Sequence, residues 1–183
     1  MLSAYHDQLI NIRRQLHQNP EEGWSEFTTT AFLVTTLRGY GYDVLLGRKV
    51  IDPEACLGRE ELLAEMEELT GCVAVLDTGR PGPTLAIRFD IDCVPVTECT
   101  DETHVPAKEG FISKNPGFMH ACGHDAHMSM GLAVAHWVMD NKDKLSGKIK
   151  ILFQPAEEGV RGAAGMAASG VLDDCDYFLG SHV

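Results

Sequence analysis

The stretch that most narrows the fold is Ile149-Lys150-Ile151-Leu152-Phe153, apolar but for one lysine and followed at once by Gln154-Pro155. A strand of this kind belongs in a sheet covered on both faces, not in one with a face turned to water. Around it, helical patterns alternate with short apolar runs, the order of an α/β layer fold. Residues 3–18 predict a helix, with Leu9, Ile10, Ile12 and Leu16 near helical spacing and Asn19-Pro20 stopping it. Residues 26–38 predict a second helix, ended by Gly39-Tyr40-Gly41, and residues 59–69 a short one with an acidic outer face. The clearest helix is 124–140, apolar at Met128, Leu132, Ala135 and Val138, and an Ala/Gly-rich helix at 161–169 closes on Gly170. Strands are expected at 42–46, 72–77, 84–89 and 149–153, and another begins at 176–183. The strands at 72–77 and 84–89 flank Gly79-Arg80-Pro81-Gly82-Pro83, which reads as a turn or short loop between them. Residues 97–118 form a polar loop of a length that, in a compact domain, is usually functional or wrapped around a site.

Charge and cysteine usage exclude several classes of function. The chain of 183 residues carries 15 basic and 27 acidic residues, a net charge of -12. That balance argues against nucleic acid and against an anionic membrane surface as partners. No stretch approaches the roughly 18 consecutive apolar residues of a membrane-spanning helix. The first residues, Met1 to Asp7, lack the basic and apolar regions of a secretory signal. Six cysteines, at 56, 72, 93, 99, 122 and 175, contain no C-x-x-C pair, so reduced thiols in a cytoplasmic protein are expected. Most of these, with Trp24, Trp137 and the methionines, are expected in the core.

Three segments and one histidine carry candidate chemistry. Met119-His120-Ala121-Cys122-Gly123-His124-Asp125-Ala126-His127 sits just before the 124–140 helix. Cys122 and His124 lie two apart at a helix N-terminus, where the dipole and free N–H groups favour a thiolate. A thiolate and an imidazole this close can bind one divalent metal. A lone Cys-x-His is more often a buried thiol beside a capping Asp125, but three histidines and a cysteine in eight residues shift the balance toward metal. Phe153-Gln154-Pro155-Ala156-Glu157-Glu158-Gly159 places two carboxylates at the end of the buried strand, the edge where α/β proteins build sites. One Glu can ligate metal while the other stays free as a base; on its own the segment is a solvated acidic turn. In Arg88-Phe89-Asp90-Ile91-Asp92-Cys93-Val94-Pro95, Asp90 and Asp92 project to one face and either cap a turn or orient a ligand from behind. His182 ends the last strand and, taken alone, is ordinary. His17 and Glu21 close the first helix, His104 lies in the long loop, and His127 and His136 read as packed or exposed helix residues.

Taken together and in this order, these segments resemble the aminoacylase-type metallopeptidases, the group of hippurate hydrolases, indole-acetyl-amino-acid hydrolases and aminobenzoyl-glutamate hydrolases. The resemblance is carried by Leu16 to Glu21, Arg88 to Pro95, His120 to His127, Gln154 to Gly159 and Gly180 to His182, through essentially the whole chain. Gly23 to Phe27, Gly47 to Val50 and Asp77 to Pro83 look most like the aminobenzoyl-glutamate hydrolase A-subunit branch. The resemblance implies a three-layer α/β/α zinc-exopeptidase-like catalytic domain with a mixed, mostly parallel sheet. It also implies two divalent ions, Zn or Mn. Cys122 would bridge them, His124 and His182 would bind one and Glu158 the other. Glu157 would be the general base, and Asp92 would orient the site. Asp90 falls where more distant relatives carry a histidine ligand and is not assigned to metal. The implied reaction is hydrolysis of the amide bond of a small N-acyl amino acid, aminobenzoyl among the acyl groups, by metal-activated water, in a protein that is dimeric at full length.

The same resemblance implies that residues 1–183 are the N-terminal part of such a catalytic domain. The family's last ligand histidine, its lid or dimerisation domain and the remaining strands would lie outside them. The site would then be incomplete, and this chain alone inactive or nearly so. The rival reading from another class is a non-catalytic remnant or interaction protein that keeps the first half of the fold. A zinc nucleobase deaminase would need H-x-E with a downstream P-C-x-x-C, and neither is present.

Overall fold

The structure, a computed structural model, describes residues 3–58, 69–159 and 161–183. The helix expected at 59–69 falls almost wholly outside them. Helix α1 spans Ser3–His17 and α2 spans Phe27–Tyr40. Strands β1 (Asp43–Leu45), β2 (Cys72–Asp77) and β3 (Thr84–Asp90) come next, then the short helix α3 (Val105–Glu109) and the long helix α4 (His124–Asp140). Strand β4 (Lys148–Gln154), helix α5 (Gly162–Ala168) and strand β5 (Tyr177–Gly180) complete the order.

The strands form one sheet in the order β1-β2-β4-β3-β5. Strand β4 is central and every residue from Ile149 to Gln154 is buried, as its apolar composition requires. Its alternate residues serve two cores. Ile149, Ile151 and Phe153 face Leu33, Leu37, Met128, Leu132 and Ala135 of α2 and α4. Leu152 faces Trp24, Ile51 and Met166 on the other side. The sheet is therefore the middle of three layers. Lys150 also points into the second layer, where its ammonium is satisfied by the Val171 carbonyl at 2.6 Å and by an ion pair with Asp174.

Pairing is mixed: β1 with β2 and β2 with β4 are antiparallel, β3 with β4 and β3 with β5 parallel. Four of the five strands thus run one way and only β2 is reversed. The loop 78–83 does not close a hairpin, because β4 lies between the strands it joins. It crosses the start of β4 instead: Thr78 N–H and its hydroxyl donate to the Gly147 carbonyl at 3.1 and 2.8 Å, and Gly147 N–H donates to the Arg80 carbonyl. Gly147, at φ +77, is needed there, since a Cβ would stand 2.0 Å from the Pro83 carbonyl oxygen.

Trp24 is fully buried as expected, whereas Trp137 is 37% exposed on the outer face of α4. The helical pattern of α4 is satisfied by Met128, Leu132, Ala135 and Val138, which leaves residue 137 on the opposite side. The six cysteines are free thiols. No helix of the described residues is long and apolar enough to cross a membrane.

The 97–118 loop contains α3 and is tied down by a buried network. Glu98 Oε1 lies 2.8 Å from both His17 Nε2 and His104 Nε2, while Oε2 accepts the Ser113 N–H at 2.6 Å. His17 Nδ1 faces Asp125 Oδ2 at 2.9 Å, and Arg13 donates to the same oxygen. Glu21 caps α2, its carboxylate accepting the N–H groups of Thr28 and Thr29 at 3.1 and 2.7 Å. Both motif residues at the end of α1 thus serve the fold.

Burial opposes the charge of His17, but its bonds to Asp125 and Glu98 win and raise its pKa above the ordinary 6.5. Burial likewise works against the Glu98 carboxylate, yet His17, Ser113 and His104 lower its pKa below 4.5. The His17 contribution is therefore complete below its unfolded value and fades as pH rises through the raised folded one. The Glu98 contribution is complete above its unfolded value and fades as pH falls through the lowered folded one. Urea midpoints measured across pH should fall on both sides of a window between about 4.5 and 6.5. His17→Gln should flatten the alkaline limb and cost about 3 kcal/mol at pH 6, because it leaves carboxylates buried without their partner. Phe153→Ala, which empties the centre of the first core, should cost about 3–5 kcal/mol by the same measurement.

Candidate metal centre

Because β3, β4 and β5 run parallel and in register, with Asp90 opposite Gln154 and Arg88 opposite Gly180, their carboxyl ends finish at one rim. Each strand continues beyond that rim into the residues singled out above. After β3 comes Asp92, after β4 Glu157 and Glu158, after β5 His182, and α4 starts at the same place with His124 as its first residue.

His124 is fully buried at the centre. Its Nδ1 lies 2.8 Å from the Asp92 carbonyl oxygen and 3.2 Å from Asp92 Oδ1. With two acceptors on that nitrogen the proton sits on Nδ1, and the Nε2 lone pair points into the site. Around Nε2 stand His182 Nε2 at 3.2 Å, Glu157 Oε2 at 3.7 Å, and Glu158 Oε1 and Asp90 Oδ2 at 4.0 Å. Burial disfavours the charged ring, but Asp92 and then Asp90 outweigh it and the pKa rises. The other Asp92 oxygen, Oδ2, accepts the Glu158 N–H at 3.0 Å, so one buried carboxylate orients a histidine and pins the neighbouring turn.

Two groups of donor atoms share His124. One comprises Asp90, His124, His127 and His182, the other His124, Glu157 and Glu158, and within each group the atoms lie within 4.8 Å of one another. The sequence does not mark Asp90 and His127 as members. His127 Nε2 accepts the Val183 N–H at 3.1 Å, which leaves its proton on Nδ1, 3.3 Å from Asp90 Oδ2. A spacing of three residues on α4 puts His127 beside His124, with ring centroids 5.2 Å apart; that spacing is the signal that could have found it. Arg88 pairs with the far oxygen of Asp90 and donates to Gln154 Oε1 at 2.7 Å.

Cys122 lies outside both groups but against Glu158. Its thiol is pushed up to about 11, first by Glu158, then by burial, then by Glu157 and Asp92. In the metal-free chain these carboxylates work against the thiolate that a helix N-terminus favours. His120, buried beside the site, is held neutral by burial, its pKa lowered to about 4. His104, the loop histidine, points to Glu98 and away from the rim.

The donor set fits divalent cations. Among the described residues, the buried side-chain atoms that make no hydrogen bond are those of Asp90, Asp92 Oδ1, His120, His127 Nδ1 and Glu158 Oε1, all at or beside this rim; Asp90, Asp92 Oδ1 and His127 Nδ1 have only the ion-pair contacts given above. Buried polar atoms are ordinarily satisfied, so their accumulation at one point marks a missing partner. Four carboxylates, Asp90, Asp92, Glu157 and Glu158, gather here, and the Arg88 guanidinium pairs with Asp90. Two imidazole nitrogens each about 2.0–2.1 Å from a tetrahedral ion stand roughly 3.4 Å apart, close to the His124–His182 separation.

The sequence model of peptidase family M20/M25/M40 matches residues 86–183. The chain is 50% identical to a Haemophilus influenzae homologue of the p-aminobenzoyl-glutamate hydrolase A-subunit, over 97% of this chain and 46% of that protein. It is 45% identical to the indole-3-acetyl-aspartic acid hydrolase of Enterobacter agglomerans, over 100% of this chain and 48% of that protein. Among solved structures it superposes on a dinuclear metal-binding M20 peptidase of Bacillus subtilis with a TM-score of 0.80 at 33% identity, over 98% of this chain and 43% of the other. The aminobenzoyl-glutamate utilization protein of Klebsiella pneumoniae gives 0.77 at 36% identity, over 100% and 44%. The chain spans about half the length of these relatives. With more than half of its residues matched to the family model, and with the three-layer sheet and its histidine- and carboxylate-lined rim, the chain belongs to peptidase family M20/M25/M40.

Proposed function

We propose that this chain is the N-terminal part of the catalytic domain of a metal-dependent amidohydrolase that cleaves N-acyl amino acids. The observation that carries the reading is the buried Asp92–His124 contact, which fixes the imidazole proton on Nδ1 and turns Nε2 toward His182, Glu157 and Glu158. The names of the relatives support the substrate class: one is a homologue of a p-aminobenzoyl-glutamate hydrolase component, the other an indole-3-acetyl-aspartic acid hydrolase, and both substrates are N-acyl acidic amino acids.

In this reading His124, His182, Glu158 and Cys122 hold two divalent ions, Zn or Mn. When bound, such ions polarise an amide carbonyl and make water acidic enough to attack it. Glu157, about one-third exposed and 3.7 Å from His124 Nε2, accepts a proton from the attacking water and returns it to the leaving amine nitrogen. Asp92 keeps the His124 proton away from the reacting side and, through Oδ2, holds the backbone that presents Glu158. Asp90 and His127 brace the segment carrying His182. The ligands, lid and dimer contacts contributed by the rest of a full-length protein complete the site, and the 183 residues alone are expected to bind metal without appreciable turnover.

Metal titration of the purified chain tests this. The wild type should take up at least one Co2+, Zn2+ or Mn2+ per chain. Asp92→Asn should weaken binding about 10- to 100-fold, as loss of a partner behind a ligating histidine does elsewhere. His124→Ala should remove the site. A chain that binds no divalent metal, or binds it as well with Ala at 124, would count against the reading.

A further inference from the structure

Glu26 stands at the start of α2, fully buried, and has no part in the chemistry above. Its Oε1 accepts the Ala156 N–H at 2.8 Å and its Oε2 accepts the Thr70 hydroxyl at 2.7 Å. Burial drives its pKa up to about 8, although the Thr70 hydrogen bond pulls the other way. An isolated carboxyl in the interior is costly, and an apolar residue of the same bulk would avoid that cost.

What Glu26 holds is unusual backbone. Among the described residues, only Trp24 (φ +67) and Ala156 (φ +48) are non-glycine residues with positive φ. Conformations of this kind persist only where surrounding contacts hold them, and they gather at functional sites. Here the two strained segments clasp each other: a Cβ at Gly23 would come within 2.9 Å of Ala156 Cα. The Ala156 carbonyl is held in turn by the N–H groups of Arg161 at 3.2 Å and Gly162 at 2.8 Å. Both peptide groups of Ala156 are thereby fixed, and its φ and ψ set the direction in which the chain leaves β4 for Glu157 and Glu158.

We propose that Glu26 is a positioning residue: its buried carboxyl group holds Ala156 in the left-handed conformation and so aims Glu157 and Glu158 into the metal centre. Its bearing on metal rests on the function proposed above, while its bearing on backbone geometry does not. The interior carboxyl is kept, on this account, because two acceptor oxygens on one rigid fork tie the 69–71 segment and the β4 turn together.

Wild type, Glu26→Gln and Glu26→Leu decide it. Hydrogen exchange of the metal-free chain, read by mass spectrometry, compares residues 154–159 with residues 148–153 of β4. Glu26→Leu should accelerate exchange in 154–159 at least tenfold and leave 148–153 unchanged. Glu26→Gln should stay within threefold of wild type, since its amide oxygen still accepts from Ala156 and its NH2 can donate to Thr70. In Co2+ titrations followed by visible absorption, Glu26→Leu should bind at least tenfold more weakly with an altered spectrum, and Glu26→Gln should keep both. Unchanged exchange in Glu26→Leu overturns the proposal, and so does fast exchange in 154–159 with wild-type Co2+ affinity and spectrum. A wild type that binds no Co2+ refutes the metal reading and leaves exchange alone to decide the role of Glu26. If Glu26→Leu does not fold, Glu26→Gln decides: retention in both measurements supports the proposal, and a tenfold loss in either overturns it.

Discussion

The parallel register of β3, β4 and β5 governs everything at the rim. Three strands that run the same way and end level must deliver their next residues to one place. Here those residues are Asp92, the Glu157–Glu158 pair and His182. The register depends on β4 being buried on both faces, with Ile149, Ile151 and Phe153 in one core and Leu152 in the other. A slip of one residue would exchange the two sets, and Lys150 would lose Asp174 and enter the α2/α4 core. Packing far from the rim therefore sets the geometry of the rim itself.

The rim concentrates what the rest of the molecule avoids. Negative side chains gather, buried polar atoms lack hydrogen bonds, and Ala156 adopts backbone that alanine seldom takes. Elsewhere the same residue types are satisfied: Glu98 shares its oxygens with two histidines and a backbone N–H, and Glu21 caps a helix. Local rules broken together at one point, and kept elsewhere, are the mark of a site built for something that joins it from outside.

Much of the fold was legible because it rests on local pattern. The α4 boundaries, the strands around 72–77 and 149–153 and the two-sided burial of β4 all come from spacing and composition. What local pattern did not carry were facts that need neighbours in space. The strands at 72–77 and 84–89 are joined by a short loop as read, but nothing local announces that β4 inserts between them. Trp137 reads as core by residue type but lies on the outer face of its helix. The place of Cys122 before a helix favours a thiolate, while the carboxylates that push its pKa up come from two other segments.

The amino-acid sequence by itself determined the layered α/β class, the order of its elements and the identity of the residues that end the strands, since periodicity, turn chemistry and motif are properties of neighbours along the chain. The tertiary structure alone decided that Asp90 and His127 join the rim, that His17 anchors a loop through Glu98 and Asp125, and that Glu26 reaches Ala156 from 130 positions away. Those are contacts between distant segments in a desolvated interior, and their partners, charges and hydrogen bonds come into being only when the sheet closes.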